Sequence, residues 1–161
     1  MKIRVLTTGG TIDKIYFDAK SDFEVGEPVI GHVLDQAKAA FAYEITEIMK
    51  KDSLELTDDD RAAIREAVEG CAERHILITH GTDTMADTGK VLMGIPEKTI
   101  VLTGALNPAR FQSSDAIFNI GSAIAAVQTM PPGVYIAMNG RVFPADKVRK
   151  NRDANRFESI N

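Results

Sequence analysis

The feature that most narrows the fold is the alternation of short, unbroken apolar runs with segments of helical periodicity. His75–Thr79 (HILIT) and Thr99–Thr103 (TIVLT) carry apolar, mostly β-branched side chains at consecutive positions. Strands of this kind must be covered on both faces, as in a parallel sheet. Lys2–Thr7, running into Gly9-Gly10, and Val134–Met138 (VYIAM) read as strands too, and Tyr43–Met49 alternates as one. Between them lie helical patterns. These are Ile30–Phe41; a segment from Thr57 with Ile64, Ala67, Val68 and Cys71 on one face; Asp83–Gly94; and Ser113–Met130 with Ile117, Ile120, Ile124 and Val127 aligned. Thr57 and Asp60 make a capping box, and Asp58, Asp59 and Asp60 suit the positive end of the helix dipole. Thr11 to about Pro28 is polar and irregular and reads as a long loop. Five strands alternating with helices predict an α/β fold. Its expected form is a doubly wound, mostly parallel sheet with helices on both faces, a three-layer sandwich of Rossmann-like or flavodoxin-like type.

With 161 residues the chain is expected to be one domain. Its 19 Lys and Arg against 23 Asp and Glu give a net charge of −4. That balance argues against nucleic acid as a partner, which needs a basic footprint. The charge is uneven: residues 141–161 carry six basic and three acidic side chains, net +3, while residues 1–140 are net −7. Two readings of the basic segment stand, a solvated tail or a cover over a carboxylate-binding site. The single cysteine, Cys71, allows no internal disulfide or cysteine-based metal cluster and fits a reducing, cytoplasmic location. The start of the chain, MKIRVLTTGG, reaches glycine before an apolar stretch of signal-peptide length accrues. Residues 116–140 lack charge but are split by Pro131-Pro132-Gly133, so they read as helix, turn and strand, with no membrane span.

In open α/β sheets ligands bind beyond the carboxyl ends of the strands. Just past the expected strands stand Thr7-Thr8-Gly9-Gly10-Thr11, Asp52-Ser53, Thr79-His80-Gly81-Thr82-Asp83-Thr84 and Gly104-Ala105. Glycines let backbone amides approach a ligand, and the hydroxyls and carboxylates suit a small polar molecule bearing a carboxylate. Gly89-Lys90 lacks the flanking pattern of a phosphate loop, and Gly9-Gly10 lacks the spacing of a dinucleotide fingerprint. His32, His75 and His80 show no metal-ligand spacing, and His32 and His75 read as structural.

TTGGTID (Thr7–Asp13), THGTDTM (Thr79–Met85) and LTGALNP (Leu102–Pro108), with SSDAIFNI (Ser113–Ile120) after them, resemble the amino-terminal domain of the bacterial-type, threonine-nucleophile L-asparaginases. DSLELTDDD (Asp52–Asp60) is similar to that family's substrate-binding segment, and Met138–Asn161 to the hairpin and basic stretch with its lysine. The resemblance implies cofactor-free hydrolysis of L-asparagine to L-aspartate and ammonia through a covalent acyl-enzyme, with glutamine as the competing substrate. It assigns the nucleophile to Thr11, the second-motif pair to Thr82 and Asp83, and the family lysine to Lys150. It gives the substrate α-carboxylate to Ser53, the α-amino group to Asp83 and the side-chain amide to the carbonyl of Ala105. Gly10, Asp52 and Gly81 complete the substrate-binding loops.

A threonine hydroxyl needs a base. No histidine is placed for that, which leaves a tyrosine or a neutral lysine. The carboxylate of Asp83 favours a charged Lys150, so this lysine is expected to assist through charge and proton relay. The oxyanion donor is expected to be the Thr82 N–H at a helix N-terminus. The chain departs from the family pattern in two ways. Where the resemblance implies a loop tyrosine, before a Val-Gly pair, stands Phe23, so Tyr16 is expected to take its role. The family's smaller second domain has no counterpart in residues 1–161, so the sequence is either a compact single-domain form or a fragment; the compact enzyme is expected, self-associating as a symmetric dimer or tetramer. Its lost substrate contacts should raise KM more than they lower kcat, with Arg110, Arg149 and Arg152 as replacements. Two alternatives remain: a non-catalytic asparagine- or aspartate-binding regulatory module, and a subunit of an amidotransferase complex, since a transfer-RNA-amidating family shares these motifs.

Overall fold

The structure, a computed structural model, describes residues 1–17 and 22–160. β1 (Lys2–Gly9) is the second strand of a six-stranded sheet, with the edge strand β4 (Ala42–Lys51) on one side. On the other side follow β5 (His75–Thr79), β6 (Thr99–Thr103), β7 (Gly133–Met138) and β8 (Arg141–Pro144). The order is β4-β1-β5-β6-β7-β8, parallel except for the antiparallel edge strand β8. The chain runs outward from β1 to β4 and returns to β5 on the far side of β1. The carboxyl ends of β1 and β5 therefore flank the point where the winding direction reverses.

Both faces are covered, as the apolar runs require. On one face α2 (Asp58–Gly70) and α3 (Met85–Val91) place Ile64, Val68, Met85 and Leu92 against Leu6, Ile76, Ile78 and Ile100. On the other, α1 (Ile30–Gln36) and α4 (Ala116–Thr129) place Ile30, Leu34, Ile120 and Val127 against Ile3, Val5, Leu77 and Val101. The doubly wound three-layer sandwich is thus present. The capping box of α2 forms in full, with Thr57 accepting from the Asp60 N–H and Asp60 from the Thr57 N–H.

Three elements differ from their sequence reading. The stretch after Thr11 is not irregular. A 3-10 turn at Thr11–Asp13 leads into a hairpin of β2 (Lys14–Phe17) and β3 (Asp22–Val25), in which Tyr16 pairs with Phe23. Helix α1 stops at Gln36 because Lys38 turns left-handed (φ 56°), which lets the Ala39 N–H reach back to the Leu34 carbonyl. Glycine favours that position, so a lysine there hides the stop. Helix α3 starts only at Met85, because the Thr84 hydroxyl donates to the Ser53 carbonyl (2.8 Å) and holds the preceding residues in a turn. The basic C-terminal segment continues past β8 into a second hairpin, β9 (Val148–Asn151) and β10 (Arg156–Ser159).

At the opposite end of the sheet from these loops, Arg4 grips Glu73 with two hydrogen bonds, Nε to Oε2 at 3.3 Å and Nη2 to Oε1 at 2.9 Å. That guanidinium, with the backbone N–H of Glu73 itself, holds the carboxyl down at about 2, against an ordinary 4.5. The stabilisation is complete above about pH 4.5 and is lost as the pH falls toward 2. A Glu73→Gln variant should therefore be less stable than the parent at neutral pH, and the gap should close between pH 4.5 and 2. Urea midpoints across that range measure it.

Candidate active site

The loops beyond β1, β4 and β5 are locked together by glycines. Gly10 (φ 93°, ψ −179°) adopts a backbone conformation essentially reserved for glycine, and a Cβ there would fall 2.5 Å from the Gly81 Cα. A Cβ on Gly81 would in turn lie 2.6 Å from both Cβ and Oγ of Ser53. The Gly10 N–H donates to the Lys51 carbonyl (3.0 Å), and Thr8 Oγ1 donates to the Thr79 carbonyl (2.8 Å). Thr11, Ser53 and Thr82 therefore emerge within one tight knot at the switch point of the sheet.

Lys150 closes the far side. Its Nζ donates to Thr82 Oγ1 at 2.8 Å and to Asp83 Oδ1 at 2.9 Å. The ammonium is delivered by the β9–β10 hairpin, in which Lys150 faces Phe157 across the strands. Phe157 and Val148 are buried in the core, and the Phe157 N–H donates to Asn139 Oδ1 (2.7 Å), so the hairpin is anchored apolar side down. Arg152 Nε lies 3.5 Å from the same Asp83 oxygen, with its side chain 64% exposed. Of the three arginines considered from sequence, only Arg152 meets this centre. Arg149 pairs with Glu158 (2.6 Å), and Arg110 donates to the carbonyls of Asp13 and Glu27. The basic segment does cover a carboxylate, through two of its six cations.

Thr11 lines a cleft of about 210 Å³ with Lys14, Phe23, Pro108 and Phe111. Among the described residues no side chain hydrogen-bonds the Thr11 hydroxyl. Ser53 is buried, and its Oγ accepts from the Thr84 N–H (3.4 Å). Asp52 caps the 3-10 turn Ser53–Glu55 by accepting from the Leu54 N–H (3.1 Å), and its other oxygen accepts from Lys14 Nζ (2.8 Å). Burial works to raise the Asp52 carboxyl, but the Lys14 ammonium and the Leu54 N–H outweigh it and hold it below its ordinary value. Ala105 follows β6 with its side chain buried in the core. Tyr16 sits on the hairpin, 51% exposed, its ring edge-on to Phe23 with centroids 5.3 Å apart. Phe23 lines the Thr11 cleft, so Tyr16 stands beside that cleft, and among the described residues no hydrogen bond joins it to Thr11. A roomier hollow, about 490 Å³, lies elsewhere, bordered by Val29, His32, Val33, Arg110 and Ile117, and neither Thr11, Ser53 nor Thr82 lines it.

One expectation needs correction, and one loop residue proves more enclosed than its position suggests. The Thr82 N–H is not at a helix N-terminus, because the first helical residue is Met85 and its cap Thr84. His80, read only as a loop residue, is fully buried: Nδ1 donates to the Gly81 carbonyl and Nε2 accepts from Thr88 Oγ1, both at 2.7 Å. Burial pushes it down to about 4, so it stays neutral and secures the loop. Among the described residues no group of His, Cys, Asp and Glu is arranged to hold a metal, and no helix is long and apolar enough to cross a membrane.

Sequence reasoning also passed over Asp13. Its Oδ1 accepts from the Val29 N–H (3.0 Å), while Oδ2 is buried without a hydrogen-bond partner. Its backbone carbonyl accepts from Gly26 N–H (2.8 Å) and Arg110 Nη1 (3.0 Å), so Asp13 ties the base of the β2–β3 hairpin. The only sequence signal was an acid amid the apolar, hydroxyl-rich first motif.

Hydroxyls, a lysine and a carboxylate thus gather at the switch point of the α/β sheet. The sequence matches the family described as Asparaginase, N-terminal, over residues 2–161, and the chain belongs to the asparaginase family. It is 31% identical to the L-asparaginase of Thermococcus kodakarensis, an alignment that covers 100% of this chain and 52% of that protein. It is 32% identical to a glutamyl-tRNA(Gln) amidotransferase subunit of Methanococcus maripaludis, covering 99% of this chain and 42% of that protein. The solved structure of the thermostable Thermococcus kodakarensis L-asparaginase superposes with a TM-score of 0.88 at 30% identity, over 100% of this chain and 52% of that one. The chain spans about half the length of these relatives.

Burial raises the Asp13 carboxyl to about 6, against an ordinary 3.8, despite the Val29 N–H and the Arg110 charge. Its contribution to stability is complete below pH 3.8 and is lost as the pH rises through about 6. Asp13→Asn cannot ionise, so its stability relative to the parent should improve steadily from pH 4 to pH 7. A stability difference that is flat over this range, measured by chemical denaturation, would contradict the assignment.

Proposed function

We propose that the chain builds an amidohydrolase site that converts L-asparagine to L-aspartate and ammonia, with Thr11 as nucleophile. The observation that carries the reading is Lys150 Nζ, bonded at once to Thr82 Oγ1 and Asp83 Oδ1, one knot of glycines away from the Thr11 hydroxyl. Family membership supports the same chemistry.

In this reading the Thr11 Oγ1 attacks the side-chain amide carbon while Tyr16 takes the hydroxyl proton and passes it to the leaving nitrogen. Ammonia departs and an ester to Thr11 remains. Water then attacks the ester, giving up a proton to the Thr11 oxygen as L-aspartate is released. Lys150, held in place by Asp83, adds positive charge that stabilises the developing oxyanion. Ser53 binds the α-carboxylate, Asp83 the α-amino group and the Ala105 carbonyl the amide. Gly10 and Gly81 let the backbone close on the substrate, and Asp52 supports the Ser53 turn. Arg152 is the arginine that stands at the mouth of this site. For Tyr16 to serve, the β2–β3 hairpin must carry its hydroxyl into the Thr11 cleft. The single half-buried cysteine suits a cytoplasmic enzyme. The exposed Ile117 and Phe118 on α4 suit self-association, which analytical ultracentrifugation reads directly.

A second reading, membership of an amidotransferase complex, draws on the likeness to the Methanococcus maripaludis protein. Ammonia release from asparagine by the purified chain separates the two. No turnover by the isolated chain, combined with saturable aspartate binding by calorimetry, favours a regulatory module.

Thr11→Ala and Thr82→Val should each lower kcat on asparagine by at least about 10²-fold. Normal turnover by Thr11→Ala overturns the nucleophile. Tyr16→Phe should cost about 10²–10⁴-fold in kcat, the range of a general base. A kcat near the parent value removes Tyr16 from the mechanism.

A further inference from the structure

We infer that the Lys14–Asp52 ion pair is a positioning bridge that fixes the span between the nucleophile and the carboxylate-binding serine, and so sets which length of amide substrate is accepted. This deepens the amidohydrolase reading and rests on it.

Two 3-10 turns leave the ends of the neighbouring parallel strands β1 and β4. The first, Thr11–Asp13, is closed by the Lys14 N–H donating to the Thr11 carbonyl. The second, Ser53–Glu55, opens at Asp52, which caps it through Oδ1. Asp52 Oδ2 accepts from Lys14 Nζ at 2.8 Å. One carboxylate thus caps the turn that carries Ser53 and grips the residue that ends the turn carrying Thr11. The two side chains are only 24% and 31% exposed, so the charge-assisted bond is partly shielded from water.

Lys14 is also the wall between two hollows. It lines the Thr11 cleft with Phe23 and Phe111, and a second hollow with Asp52, Glu24 and Lys50. In the proposed reaction the substrate lies between Thr11, which attacks its amide, and Ser53, which holds its α-carboxylate. Those are the two turns the bridge joins. Asparagine and glutamine differ by one methylene along that line, and methylene discrimination by pocket contacts alone is only about 10–200-fold. A bridge that keeps the span short adds to it. Lys14 acts through Asp52 and the two turns, as a positioning residue.

Steady-state kinetics on asparagine and glutamine with the parent chain, Lys14→Met and Lys14→Arg test this. Lys14→Met keeps the stem and removes the charge. It should lower kcat/KM for asparagine by about tenfold, the scale of a sub-ångström misplacement. Glutamine should lose less, so that the asparagine-to-glutamine ratio falls by about threefold or more. Lys14→Arg, which can still reach Asp52, should restore most of the ratio. An unchanged ratio in Lys14→Met overturns the bridge. If the parent turns over neither amide, the amidohydrolase reading fails by itself, and hydrogen exchange at the Leu54 amide then decides on the bridge. Faster exchange in Lys14→Met than in the parent supports it, and equal exchange overturns it.

Discussion

The close approach of three strand-end loops, Gly10 on Gly81 and Gly81 on Ser53, is the contact on which the rest of the site depends. A side chain at either glycine would occupy the volume of its neighbour, so the loops beyond β1, β4 and β5 can meet only as bare backbone. Once they meet, Thr11, Ser53 and Thr82 are fixed relative to one another by the sheet itself. The Lys14–Asp52 pair adds a side-chain tie between the turns that carry Thr11 and Ser53. The pairing of β1 with both β4 and β5 then makes the site as rigid as the centre of the sandwich.

Charge is arranged around this knot in matched pairs. Asp52 meets Lys14 at 2.8 Å and Asp83 meets Lys150 at 2.9 Å, each pair only partly exposed, with Arg152 at the rim. A neutral, fully enclosed His80 holds the loop from behind through the Gly81 carbonyl. Each of these carboxylates thus faces a neighbouring cation. Asp13 is the exception, a buried acid that caps Val29 with one oxygen and leaves the other without a partner.

Much of this was legible in the chain. HILIT and TIVLT could only be strands covered on both faces, and from them the parallel sheet and its strand-end loops follow. The candidate residues Thr11, Ser53, Thr82 and Asp83 then fall at strand ends by position alone, and the family resemblance added Lys150. What escaped was set by tertiary partners. The Thr84 hydroxyl delays a helix because Ser53 comes to lie beside it, and Lys38 ends another by taking a conformation that glycine usually takes. The β2–β3 hairpin was hidden because its strands are only four residues each and its base is tied by Asp13 and Arg110, contacts separated by 97 positions. The Lys14–Asp52 pair, 38 positions apart, carries no local signature at all.

Lys150 reaches Thr82 and Asp83 across 68 and 67 positions, on a hairpin seated by Phe157. Chains emerge from the ribosome amino end first, and segments fold in that order. The sheet and its glycine knot can therefore form early, as an inert scaffold. The ammonium arrives only when the β9–β10 hairpin has been synthesised and has found its apolar seat. The contact of Lys150 with Thr82 and Asp83 is thereby deferred until that hairpin has emerged.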